Sequence, residues 1–455
     1  VSIQIELLIS MLIRSISGVR GITPNHLNDS IIKSYAQAFH SILPDGIIYC
    51  GRDSRPSGEN FLHIFYSELI LLGRDVIVCD IVPTPTIQFM VEKTEAVGGV
   101  IITASHNPTE WNGMKFVNAK GTFFDSAQCA ELFKIVDQNK QIHPAETPGM
   151  YLSDKNANLK HVLKIIELPC VDLKSIRAKG FKIAIDAVNG AGSEAIPLLL
   201  ENLGCDVVKI NCDQNGMFKR GAEPLPENLS DLSALVIREN CDIGFAVDPD
   251  SDRLAIIDEH GKPLGEEYTL VLAAAGYLSQ KENSEVLVTN LSSSIALDKL
   301  ADKYNSTVLR SAVGEINVVN KMVECNSSFG GEGNGGVILK DAHLGRDALV
   351  GAALILSYLS HQKTTLSETH KALPQYVIVK DKINIKNINI KVFEEKVKNL
   401  YKDSIVDETD GIKFIWSDKW LHIRKSNTEP IIRIYAEAIS KEIAVEIIQN
   451  LKSIL

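Results

Sequence analysis

Three carboxylates at alternate positions, Asp248, Asp250 and Asp252, stand in the run Asp-Pro-Asp-Ser-Asp-Arg that ends at Arg253. Such a set repels itself unless a cation neutralises it, and hard ions such as magnesium or calcium prefer all-oxygen ligation. An EF-hand is excluded. Glu259 does fall at the last position of such a loop, but Arg253 stands where its sharp turn requires glycine, and both flanks read as strands. A solvated acidic turn would show the same spacing. A second group is Arg424-Lys425-Ser426-Asn427-Thr428-Glu429-Pro430, followed by Arg433. Arginines, hydroxyls and a run of backbone amides suit a phosphate dianion, although an ordinary charged turn between two strands is also compatible. A third is Ser105 in Thr-Ala-Ser-His-Asn-Pro, where a strand has just ended and Pro108 stops the ladder. Its hydroxyl could serve as a nucleophile, yet most loop serines only decorate a surface. His106 is adjacent, but neighbours in a turn usually point apart. No Gly-x-Ser-x-Gly elbow supports a hydrolase. With the glycine-rich loop 330–336, these groups make up what phosphoryl transfer needs: a hydroxyl, a metal site, a phosphate clamp and a polar loop.

The elements that must position them follow a repeated pattern. A β-rich run, a polar loop, an amphipathic segment and a second β-rich run occur at 47–78, 182–208 and 285–309. Strand, crossover helix and strand in that order predict βαβ units and mixed or parallel sheets. Beyond each unit lies one of the polar loops, where α/β folds place chemistry. From about Pro374 the pattern changes. Strands at 377–383 and 413–416 and helices at 391–403 and 441–454 predict a small α+β domain.

The 455 residues exceed one ordinary core and suggest three or four domains. A net charge of −10 argues against a nucleic-acid partner while leaving room for a locally basic phosphate site. The eight cysteines are scattered without a CxxC pair, which predicts free thiols rather than a disulfide or zinc framework. Residues 1–13 are apolar but lack a basic leader and are too short to span a bilayer. Met11 is a candidate start, leaving 1–10 without an assigned role. A cytoplasmic protein without membrane partners is expected.

Taken together, Ser17-Gly18-Val19-Arg20-Gly21, Thr103–Pro108, Asp248–Arg253, Gly331–Gly336 and Arg424–Arg433 resemble the α-D-phosphohexomutase family, in the family's order and over nearly the whole chain. The resemblance implies an α/β fold of four domains around a central cleft: 11–150 with the phosphoserine loop, 151–260 with the metal loop, 261–372 with the sugar loop, and an α+β domain 373–455 with the phosphate loop. It implies that Ser105 carries phosphate and ligates magnesium, one ion per chain, together with Asp248, Asp250 and Asp252. Arg253 would stabilise the transferring group, and Arg20 and Lys115 would join it, Lys115 in acid–base work. Glu332 and Asn334 would read sugar hydroxyls, while Arg424, Ser426, Asn427, Thr428 and Arg433 would grip the other phosphate. The expected reaction interconverts hexose 6-phosphate and hexose 1-phosphate through a bisphosphorylated intermediate, with sugar bisphosphate as activator, in a monomer or homodimer.

Two departures bear on this expectation. Many members carry a histidine where this chain has Gly336, and His343 is the candidate replacement. The sugar loop also differs from the serine-containing version common in bacterial members and is closer to a variant assigned either as phosphoglucosamine mutase or as a mixed mannose/glucose enzyme; glucosamine phosphate is the favoured substrate, with mannose or glucose phosphate the alternative. A magnesium-dependent sugar phosphatase and a non-catalytic sugar-phosphate sensor are the other classes weighed; the intact Ser105, aspartates and Lys115 count against the sensor.

Overall fold

The computed structural model describes residues 12–139, 142–384, 390–425 and 431–454. Residues 1–10, Met11, Ser426, Asn427 and Thr428 lie outside the described residues. The chain divides into two compact units: Val1–Gln280 with Asn334–His370, and Lys281–Gly333 with Lys371–Leu455. The segment 261–372 is thus shared between them.

In the first unit one sheet runs, in spatial order, Ile13–Ser15, Gly18–Ile22, Trp111–Asn118, Gly98–Ile102, Ile48–Arg52, Val76–Ile81 and Tyr151–Ser153. From Gly98–Ile102 to the far edge neighbouring strands are parallel, and on the other side they are antiparallel. Ile48–Arg52 is buried along its whole length, as expected of a strand covered on both faces. Helix Gly58–Leu71 makes the crossover to Val76–Ile81 and turns Phe61, Leu62, Phe65 and Leu69 inward. Phe65 joins Phe39, Phe116 and Phe124 in an aromatic core beneath the sheet.

A second sheet in this unit runs Leu254–Asp258, Ile243–Val247, Lys182–Asp186 and Asp206–Ile210. The last three are parallel, with helix Gly192–Asn202 as crossover, and the first is antiparallel to its neighbour. The acid-rich turn is therefore the tip of a β-hairpin, with Val247 opposite Leu254. That is the strand–turn–strand context that rules out an EF-hand. Helices Glu267–Leu278 and Ala348–Ser360 are apolar nearly all round and buried along most of their length.

The second unit holds the parallel strands Thr307–Ser311, Val286–Asn290 and Phe329–Glu332, with helix Ala296–Lys303 as crossover. It also holds an antiparallel sheet ordered Val377–Asn384, Ile431–Ala438, Trp420–Lys425, Ile412–Ile415 and Ile405–Asp407. Helix Lys441–Lys452 packs on that sheet through Ala444, Ile447, Ile448 and Leu451, the spacing of one helical face. The predicted mixed α/β sheets and the C-terminal α+β architecture are both present. All eight cysteines are free thiols, and among the described residues no helix is long and apolar enough to cross a membrane.

Candidate active site

Ser105 follows the buried strand Gly98–Ile102 and is 1 % exposed. Its φ of +51° lies in the left-handed region, which a non-glycine residue occupies only when its surroundings enforce it. Those surroundings are explicit. The Ser105 amide donates to Thr103 Oγ1 at 2.9 Å, and Thr103 Oγ1 in turn donates to Asp53 at 2.6 Å. Arg55, paired with Asp53 and fully buried, donates to the carbonyls of Ser105 (2.9 Å) and Asn107. The loop is fixed by its backbone, leaving the hydroxyl for other partners. Ser105 Oγ lies 3.4 Å from Asp248 Oδ2 and 3.3 Å from His106 Nδ1. Arg20 reaches the same loop through Asn107 Oδ1 at 2.9 Å.

Asp248, Asp250 and Asp252 are all fully buried, and an oxygen from each lies within 4.8 Å of the others. Lys115 Nζ, on strand Trp111–Asn118, sits 2.6 Å from Asp250 Oδ2 and 3.4 Å from Asp252 Oδ2. Thr84 donates its hydroxyl to the same Asp250 oxygen at 2.7 Å, and Arg346 Nη2 lies 2.6 Å from Asp252 Oδ2. Arg253 turns its backbone amide to Asp248 Oδ1 at 3.2 Å and its guanidinium to Glu223 at 2.8 Å. The charges do not balance evenly. Burial, with Asp252 and Asp250 alongside, pushes the Asp248 carboxyl well above the ordinary carboxylate range. Burial works against charge on Asp252 too, but Arg346, Lys115 and Arg253 outweigh it and hold that group down. Burial likewise opposes charge on Lys115, yet Asp250 and Asp252 keep its pKa raised, so it stays an ammonium. His106 is pushed down to about 2 by burial and then by Arg253 and Arg20, so its ring is neutral.

Buried Oδ1 atoms of Asp250 and Asp252 have no hydrogen-bond partner, and Asp248 is short of positive charge. Oxygens left in this state beside one another suit a hard divalent cation. The donor set fits magnesium.

Position 336 has a structural answer that sequence alone does not give. A Cβ built on Gly336 would come within 2.2 Å of Arg346 Cδ. The Arg346 side chain fills the space beside residue 336 and carries its guanidinium to Asp252. His343 lies apart from these contacts: it is fully buried, with Nε2 3.2 Å from Asp347 and its ring against His161. Asn334 lines a small pocket with Arg253 and Glu223, and its buried Oδ1 has no hydrogen-bond partner.

In the second unit Glu332 is buried at the end of strand Phe329–Glu332. Its Oε1 accepts from Asn290 Nδ2 at 2.6 Å and from the Gly314 amide at 3.0 Å. Arg424 and Arg433 stand directly opposite each other on neighbouring antiparallel strands. Like charges so placed disfavour the sheet unless an anion lies between or beside them. Asp410 holds Arg424 at 3.0 Å and also accepts from the Val313 amide.

Four sequence profiles match in succession. They are described as phosphoglucomutase/phosphomannomutase, alpha/beta/alpha domains I, II and III, over residues 12–143, 159–261 and 265–377, and the C-terminal domain, over 376–452. A Thermococcus kodakarensis protein named phosphoglucomutase/phosphomannomutase is 36% identical over 445 residues, covering 95% of this chain and 96% of its own. The chain belongs to the α-D-phosphohexomutase family. This phosphohexomutase is also 30% identical over 453 residues to a phosphoglucosamine/phosphogalactosamine mutase of Sulfurisphaera tokodaii, covering 96% of this chain and 98% of that one. The crystal structure of a phosphoglucomutase/phosphomannomutase family protein from Burkholderia thailandensis matches it with a TM-score of 0.84 at 25% identity, over 97% of both chains. Membership makes it an isomerase that relocates a phosphoryl group within a hexose phosphate.

Sequence reading missed Thr84, Arg55, Arg346, Asn290 and Asp410 in this phosphohexomutase. Thr84, Arg346 and Asn290 lie far along the chain from Asp250, Asp252 and Glu332, as Arg55 does from Ser105 and Asp410 from Val313, so no local pattern marks them.

Proposed function

We propose that this phosphohexomutase interconverts hexose 6-phosphate and hexose 1-phosphate through a phosphoserine at Ser105, with glucosamine phosphate as its preferred substrate. The observation that carries the reading is the approach of the Ser105 hydroxyl, 3.4 Å, to one carboxylate of a buried aspartate triad. Asp248, Asp250 and Asp252 would hold one magnesium ion, whose charge, when bound, counters that on the serine oxygen. In the first half-reaction the bond from phosphorus to Ser105 Oγ breaks and a bond to a free sugar hydroxyl oxygen forms; that hydroxyl loses its proton and the serine oxygen takes one up, so the step is proton-neutral. In the second, the other phosphate of the bisphosphorylated sugar returns to Ser105.

Lys115, held protonated by its two aspartates, keeps a proton available at the serine oxygen. Neutral His106 orients the hydroxyl, while Arg253 and Arg20 supply positive charge for the phosphoryl oxygens. Arg346 takes the place of the histidine absent at 336, and His343 has no part in transfer. Glu332 and Asn334 read the sugar; Arg424, Ser426, Asn427, Thr428 and Arg433 hold the phosphate that is not moving. Glucosamine is favoured because the buried carboxylate of Glu332 is an acceptor for a protonated amine. Sugar bisphosphate would prime an unphosphorylated Ser105.

Glucose and mannose phosphates are the second reading, favoured by the name of the Thermococcus kodakarensis relative. Assay of the purified chain with each hexose phosphate, magnesium and a trace of bisphosphate separates them. Glucosamine phosphate should give the highest kcat/KM, with total esterified phosphate constant. Turnover of glucose and mannose phosphates alone overturns the choice of sugar, and net release of inorganic phosphate overturns the mutase reading.

A further inference from the structure

A second polar cluster is enclosed in the first unit, separate from the aspartate triad. His161 projects from helix Ala157–Ile166; His343 and Asp347 belong to the segment between strand Gly336–Leu339 and helix Ala348–Ser360. All three residues are fully buried. His161 Nε2 lies 2.9 Å, and His343 Nε2 3.2 Å, from the same oxygen, Asp347 Oδ2. Donor atoms of the three residues fall within 4.8 Å of one another.

Two of the three groups are aimed inward by an outer partner, while the buried Nδ1 of His343 has no hydrogen-bond partner. His161 Nδ1 is 3.1 Å from the Thr86 hydroxyl, and Phe89 stacks on the ring with centroids 4.9 Å apart. Asp347 Oδ1 accepts from the Leu349 amide at 2.8 Å, capping its helix. Such outer contacts are how metal-ligating histidines and carboxylates are oriented. His161 Nε2 makes no hydrogen bond despite its short distance to the carboxylate, so the oxygen lies off the axis of the ring nitrogen. A fully buried nitrogen left in that state is costly unless another atom completes it. Two ligands on a tetrahedral zinc ion, each about 2.0–2.1 Å from it, stand about 3.3 Å apart, and neither lies on the other's axis. The two separations to Asp347 Oδ2, 2.9 and 3.2 Å, are close to that edge.

We propose that His161, His343 and Asp347 form a zinc site with a structural role. Two imidazoles and one carboxylate select a borderline transition metal, whereas the all-carboxylate triad selects magnesium, so the two sites take different ions. A water molecule completes the tetrahedron. The ion ties helix Ala157–Ile166 to the start of helix Ala348–Ser360, next to Arg346 and hence to Asp252.

The full chain, stripped with chelator, reloaded with zinc and dialysed against magnesium buffer, should retain about one zinc per chain by elemental mass spectrometry. His161→Gln and His343→Gln should each lose that zinc, while Asp248→Asn retains it. Cobalt-loaded wild-type protein should show the intense visible bands of a four-coordinate, nitrogen-containing site, and this readout decides the matter if neither glutamine variant folds. Failure to retain zinc, a six-coordinate oxygen-type cobalt spectrum, or undiminished zinc in both glutamine variants overturns the proposal.

Discussion

In the first unit three carboxylates are gathered out of water and matched in part by Lys115, Arg346 and Arg253; in the second, two guanidinium groups face each other across neighbouring strands. One set gathers acceptors and the other gathers donors. Both arrangements cost folding free energy by themselves, and both are relieved by a ligand of opposite sign. The contrast lies in how completely protein groups already compensate them. Asp250 and Asp252 each have a buried cation within 2.6 Å, whereas Arg424 has one half-buried carboxylate, Asp410, at 3.0 Å. In the proposed reaction the first set would serve the chemistry and the second would serve recognition.

If that contrast is right, substitutions in the first unit should act on kcat and those in the second on KM. The largest effect belongs to Ser105→Ala, which should lower kcat on the order of 10⁴-fold or more. Intact-mass measurement should show a phosphate on the wild-type chain that is absent from the variant. Full turnover by Ser105→Ala would remove the chemical half of the comparison. Arg346→Ala should come next, lowering kcat or magnesium affinity about 10- to 100-fold with little change in KM, since it strips Asp252 of its closest cation. An Arg346→Ala enzyme that loses only sugar affinity would place Arg346 on the recognition side instead. Arg424→Lys should raise KM about 10-fold while kcat holds, because lysine keeps the charge but loses the planar fork. Steady-state kinetics on the two variants side by side tests the division directly.

The smallest effect concerns stability. Burial pushes His422 down to about 4, below the ordinary value of about 6.5 for histidine. As pH falls, the unfolded chain binds this proton first. The contribution is therefore complete above about pH 6.5 and lost on the way down to about pH 4, by at most about 3 kcal/mol. Urea midpoints measured across that range should vary less with pH in His422→Gln than in the wild-type chain. An unchanged slope would show that His422 does not set the acid sensitivity of the second unit.

Local chemistry was readable from sequence wherever it was carried by neighbours in the chain. The three βαβ repeats, the strand–turn–strand setting of Asp248–Asp252 and the helix at 441–454 follow from periodicity and turn residues. What was hidden depends on pairs far apart. Thr84 reaches Asp250 and Arg346 reaches Asp252 through sheet register and helix placement that no local pattern encodes. The missing histidine shows the same limit. Searching the chain for another histidine pointed to His343, whereas the space beside residue 336 is filled by an arginine ten positions on.

The conformation of residue 105 also restricts which hydroxyl residue this scaffold can carry. Its amide and carbonyl are both tied, to Thr103 and to Arg55, in the left-handed region. Threonine offers an equivalent alcohol, but its branched Cβ is a poor occupant of that backbone well. Serine is set here by main-chain geometry, and the protein could not trade one hydroxyl amino acid for the other without reshaping the turn that presents it.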